Sequence, residues 1–245
     1  MKLFETDNLT SSRHFPSWLL LTFGAGSVNA ASFFACRRFV SHVTGTATHL
    51  GGASSARLML DYGLVLLSFL AGAAFSVVLL EARRRRGQRP ITWAPLAVVS
   101  ALLVVVSAAG HVGVFGPFGE TVETANDFVL LAALSFAMGL QNAAVATTTA
   151  NAVRSTHMTG PATDLALACA SLLYARGEER ARAVDAAVLR GGKLVAFVLG
   201  AAMMVPAVRS LEYLAFLVPA AAITIANLRS YVKVELPAPA AAAAR

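Results

Sequence analysis

Two histidines, three threonines and a serine fall within ten residues of one another in "SHVTGTATHL", residues 41 to 50. The stretch returns as "THMTGPATDL", residues 156 to 165, with His, Thr, Gly, Ala, Thr and Leu in the same places. These residue types suit the start of a helix. Thr44 and Thr159 are predicted N-caps, Gly45 and Gly160 admit close backbone approach, and Pro161 falls in a first turn, where its missing N–H costs little. A helix N-terminus offers unpaired N–H donors and the positive end of the dipole, so two of them at one cavity favour an anion or a carboxylate. With helical phase extended backwards, His42, Gly45 and His49 share one face, as do His157, Gly160 and Asp164. An imidazole titrates near neutrality, which makes His49, and Asp164 in the matching place, the proton-coupling candidates. As metal ligands, His42, His49, His157 and Asp164 match no established spacing, so neither metal nor cofactor is expected.

The elements that must position these residues are greasy. The chain is 57% hydrophobic and 13% charged over 245 residues, and its mean hydropathy is +0.66, which belongs to a membrane protein with the lipid bilayer as its partner. The net charge of +7 gathers between apolar runs and lacks interleaved stacking aromatics, so it reads as a topology signal and excludes nucleic acid. Near-spanning runs lie at about 17–36, 63–82, 92–110, 126–149, 191–208 and 211–230, with shorter ones at 46–59 and 160–175, judged against the roughly 20 residues a crossing needs. The first run lacks a cleavage pattern and is expected to be retained. Cys36 and Cys169 are too few for a disulfide framework and read as small core residues.

The motif repeat extends on both sides. Gly26 and Asn29 match Gly139 and Asn142 upstream, and Phe69, Gly72, Ala73 and Ala74 match Phe197, Gly200, Ala201 and Ala202 downstream. The second copy carries extra residues before its third segment, read here as an arginine-rich loop around "ARGEERARAVDAAVLR". If all eight runs crossed, "RRRR" (83–86) and the loop at 176–193 would lie on opposite sides, against the positive-inside rule. If the two short runs dip in and return, six helices cross, both termini and both basic loops are cytoplasmic, and only Arg37, Arg38, Arg57 and Arg209 among the basic residues face out. Each half then has an odd number of crossings, which inverts the second half relative to the first, a recurrent secondary-transporter pattern. From Arg38 to Thr44 an extended chain reaches roughly 20 Å, enough to descend to mid-bilayer.

The stretch "GAGSVNAASFF", followed by "FVSHVTGTATHLG" and the echo "HMTGPATDLA", resembles the YoaK family of bacterial integral membrane proteins. That family has a similar "DA" or "NA" element before an "SHMTGN"-like motif. The resemblance covers about residues 14–235, and Thr46 stands where the family's asparagine is expected. It implies a multi-spanning inner-membrane protein with no assigned activity.

The sequence therefore predicts an all-α polytopic protein of six transmembrane helices plus two re-entrant half-helices. Its first repeat spans 1–120 and its second, inverted, repeat 121–236, followed by a disordered tail at 237–245. Asn29, His42, Thr44, Gly45, Thr48, Asn142, His157, Thr159, Gly160 and Thr163 are the candidate solute-binding residues. The expected function is a secondary transporter or channel for a small solute, with an anion favoured. The alternatives are a structural or assembly protein in which the motif only cements helices and, less favoured for want of a nucleophile–base set, a membrane-embedded enzyme. Solute identity and oligomeric state are not encoded in any motif.

Overall fold

The computed structural model describes residues 9–11, 14–88, 90–120 and 124–232, so the tail at 237–245 lies outside the described residues. The chain runs as α1 (Phe15–Cys36), α2 (Val43–Gly51), α3 (Ala56–Arg85), α4 (Ala94–His111), α5 (Ala125–Thr148), α6 (Thr159–Ser171) and α7 (Gly177–Leu211), then a 3-10 turn (Glu212–Phe216), α8 (Leu217–Ala226) and a π turn (Asn227–Tyr231). Among the described residues, five helical stretches are long and apolar enough to cross a membrane: α1, α3, α4, α5 and the run Gly177–Tyr231. The last of these bends at Glu212, whose φ of 48° and ψ of −122° interrupt the helix.

Local chemistry explains where the helices start and stop. Before α5 the sequence "TAND" makes a capping box: the Thr124 N–H donates to Asp127 Oδ2 at 2.8 Å, and the Asp127 N–H donates to Thr124 Oγ1 at 3.4 Å, satisfying donors at the helix start. After α2 the "GGASS" segment stops the helix. Glycine is a poor helix former, and Ser55 Oγ accepts from the Leu58 N–H at 3.3 Å to begin α3. The expected short helix at 46–59 is therefore corrected to Val43–Gly51, with residues 56–59 belonging to α3. A larger correction concerns 176–193, which is not a loop: helix α7 starts at Gly177. Its Ala, Arg and Glu are strong helix formers, Glu178 and Glu179 lie in the first turn against the positive dipole end, and arginines follow later.

Helices α1 and α5 form the centre, each with 61% of its most apolar window buried, against 28% for α3 and 22% for the run containing α7. Each central helix is clasped by the third helix of the other half through glycine. A Cβ on Gly26 would overlap the Phe197 carbonyl and one on Gly200 the Phe23 carbonyl; Gly72 and Gly139 meet the Phe136 and Phe69 carbonyls in the same way. Such small residues let backbones touch, which matters where lipid removes any hydrophobic drive for helices to associate. Lower on the same pair, Gly192 abuts Phe15 and Leu19, so contacts advance together along α1 and α7 and the two helices are parallel.

The ends of the bundle are tied by polar groups. At one end Trp18 packs edge-on against Tyr231 with centroids 6.2 Å apart, the Thr92 hydroxyl donates to the Tyr231 carbonyl at 3.2 Å, and Asn227 Nδ2 donates to the Trp93 carbonyl at 3.0 Å. At the other end the Gly119 N–H donates to the Ala35 carbonyl at 3.2 Å, and the Tyr213 hydroxyl donates to the Phe115 carbonyl at 3.3 Å. The start of α1, the start of α4 and the end of the run Gly177–Tyr231 thus share one end. Cys36 is buried as expected, whereas Cys169 is exposed on α6 and is not a core residue.

Candidate functional site

A cavity of about 630 Å³ opens between the two halves, lined by residues of both. Its lining divides into pairs that occupy matching places in the repeat: Asn29 with Asn142, Phe39 with Arg154, Ser41 with Thr156, His42 with His157, Val43 with Met158, Thr44 with Thr159, and Phe69 with Phe197. Those pairs account for the whole lining. Phe39 and Arg154 break the match in chemistry, and among the described residues Arg154 is the one lining residue with a permanent charge.

The asparagines hold the motif segments in place. Asn29 Oδ1 accepts from the Val40 and Ser41 N–H groups at 3.2 and 3.1 Å, and Asn142 Oδ1 accepts from the Thr156 N–H at 3.4 Å. Each carboxamide on a central helix thereby satisfies the irregular backbone that leads into α2 or α6. Backbone of this kind survives at membrane depth only when protein groups or a cavity satisfy it.

Thr44 and Thr159 are not the N-caps. The cap of α2 is His42 and that of α6 is Met158, neither with a side-chain capping bond, so Thr44 sits at the second helical position and Thr159 at the first. The histidines lie over the first turns instead. The Gly160 N–H donates to His157 Nε2 at 3.2 Å, and a Cβ on Gly45 or Gly160 would run into the imidazole of His42 or His157. What approaches these glycines is the ring three residues earlier, which explains the His-x-x-Gly spacing. The first intrahelical bonds are Thr46 N–H to the His42 carbonyl and Ala162 N–H to the Met158 carbonyl, both 2.9 Å; the donors ahead of them sit at the cavity end of each helix.

Asn29, His42, Thr44, Asn142, His157 and Thr159 thus meet at one cavity. Gly45 and Gly160 stand behind the histidines. Thr48 and Thr163 turn away, their hydroxyls donating to the Thr44 and Thr159 carbonyls at 3.0 and 3.2 Å. His49 stacks on Tyr62 with centroids 5.0 Å apart, beside a smaller cavity of about 260 Å³ that also takes in Arg38 and His42. Asp164 pairs with Arg190 at 3.1 Å, half exposed. Phe39, Ser41, Arg154 and Thr156 had no predicted role, although the spacing of the repeat carried the signal. Phe69 and Phe197 were legible as a repeated pair without a site role.

Also unforeseen is a buried ion pair next to the motif. Arg38 Nη2 lies 3.1 Å from Asp61 Oδ2, with the aspartate side chain 3% exposed, and the guanidinium sits 5.0 Å from the Tyr62 ring centroid. The pair ties the segment entering α2 to α3.

The apolar spans and the polar cavity between halves define a multi-spanning helical membrane protein. The chain belongs to the family described as protein of unknown function (DUF1275), whose family model matches residues 17–228. No curated protein and no solved structure matches it.

Proposed function

We propose that this protein is a transporter or channel for a small anionic solute, non-enzymatic, with its central site in the cavity between the halves. One observation carries the reading: every residue lining the cavity has its repeat partner in the same cavity, and the lining includes two helix starts and Arg154. Helix N-termini, threonine hydroxyls, imidazoles and one guanidinium together suit an oxyanion or carboxylate. In this reading the chain makes six crossings, α2 and α6 are re-entrant, and the halves are inverted repeats of a YoaK-like protein of the plasma membrane. Support comes from the parallel course of α1 and α7, which requires an even number of crossings between their starts. Four crossings from α1 through α5 before α7 meet that parity; α1 and α4 also start at one end, which, with α1 and α3 as the crossings between their starts, favours α2 returning to the side it left and, by the same count to α7, α6 as well.

Both termini, the basic segment at 83–86 and the basic start of α7 at 176–182 are then cytoplasmic. Cysteines placed at 83 and 180 should resist an impermeant thiol reagent added outside; labelling of both positions would reject this topology. For the site, purified protein screened against metabolite pools should show solute-dependent thermal stabilisation, since a ligand of the folded state raises its stability. Arg154→Gln should weaken the half-saturating concentration about tenfold or more, the loss expected when a charge-assisted hydrogen bond is removed. Unchanged binding with lower stability in Arg154→Gln and in the double variant His42→Gln, His157→Gln would instead make the motif a cement between the halves.

A further inference from the structure

Lys193 is 3% exposed in the span of α7, and among the described residues no hydrogen bond or ion pair holds it. Its electrostatic neighbours are Arg190 and Asp164, but Asp164 is already paired with Arg190 at 3.1 Å. The group of three therefore carries a net positive charge, with the lysine as its uncompensated member. An unpaired ammonium removed from water is costly, and an intramembrane one reads by default as functional.

Its place on α7 says for what. Spacings of four put Leu189, Lys193 and Phe197 on one face of the helix. Phe197 lines the central cavity, and Leu189 and Arg190 line a separate cavity of about 280 Å³ near the start of α7, reached also by Arg182 and Asp185, so that its lining charge is positive on balance. Lys193 thus stands one turn from each. The repeat sharpens the point: where the second half has Arg154, Arg190 and Lys193, the first half has Phe39, Tyr62 and Val65. Two approaches built on the same pattern differ in charge, one aromatic and aliphatic, the other cationic. Topology alone would place lysines and arginines at the cytoplasmic surface; it does not explain one that is buried.

We infer that Lys193 is the charge-selecting residue of the inner approach, drawing small anions between the cytoplasmic-side cavity and the central one. This rests on the central cavity being an anion site. The test uses the full chain with Cys36→Ala and Cys169→Ser, carrying Lys193→Cys, and reads thermal stabilisation by sodium acetate, nitrate and phosphate. For the most stabilising of these, the lysine substitution should raise the half-saturating concentration about tenfold. Aminoethyl methanethiosulfonate, which restores a positive charge at the cysteine, should recover most of that loss, and the neutral methyl reagent should not. Equal recovery by both reagents, or no loss in Lys193→Cys, overturns the assignment. A loss confined to Arg154→Gln overturns it while leaving the central site standing. An unmodified protein that none of the three anions stabilises overturns both.

Discussion

Gly139→Ala lowers the stability of the purified protein by about 3 kcal/mol, at the upper end of what overpacking a close contact costs. The added methyl has nowhere to go, because it falls on the Phe69 carbonyl, with the Phe69 backbone carbon also inside contact distance. A flexible side chain would yield, but a helix backbone moves only with the helix, so α3 and α5 must separate. The reciprocal contact, Gly72 against the Phe136 carbonyl and the Leu140 nitrogen, loosens with it. Phe69 lines the cavity, so the same variant weakens solute binding. Gly63→Ala is the internal control: nothing lies within 4 Å of that position, and replacing a helical glycine there is neutral or stabilises by about 0.5–1 kcal/mol. Equilibrium unfolding in mixed micelles measures both; equal effects of the two substitutions would sink the account of the α3–α5 contact.

Asp61→Ala is expected to cost about 3 kcal/mol, the low end for breaking a buried ion pair from one side, because Arg38 keeps some contact with solvent. The carboxylate is buried, and Arg38 Nε and Asp61 Oδ1 have no hydrogen-bond partner, so the pair is already under-satisfied. Removing the acid strands the guanidinium over Tyr62. Combining Asp61→Ala with Arg38→Met should return a large part of the loss, because an apolar pair carries no desolvation penalty. Additive losses in the double variant would show that the two side chains act separately. Since Arg38 precedes the segment that Asn29 anchors, the single variant also frees the entry to α2, and binding at the central cavity should fall along with stability.

How much of this could be read from the residues differs from element to element. The apolar runs were visible because a span must be apolar for about 20 residues whatever surrounds it, and among the described residues five helical stretches meet that measure. The repeat was visible because identical residues at matching places need no structure to be counted. The N-caps were misassigned because threonine's preference for a cap is worth only about 1 kcal/mol, and an earlier residue takes the position in its place, His42 at α2 and Met158 at α6. The segment at 176–193 was misread because its charge density resembles a loop between spans. Its helix propensity, with acids in the first turn and bases after, is a local signal that pointed the other way.

The class of the protein, the polar motif and its duplication could be read from the residues alone, because hydropathy and identity are properties of the chain. That the two motifs meet came from the packed fold, since their convergence depends on glycine contacts between α1 and α7 and between α3 and α5 that join residues far apart in the chain. It alone sorted the motif's side chains into those facing the cavity and those turned back on their own helices, because that follows from helical phase at the first turn. The pairing of Asp61 with Arg38 and the isolation of Lys193 belong to it as well. Whether a buried charge has a partner is a question of distance in space, and no spacing along the chain contains it.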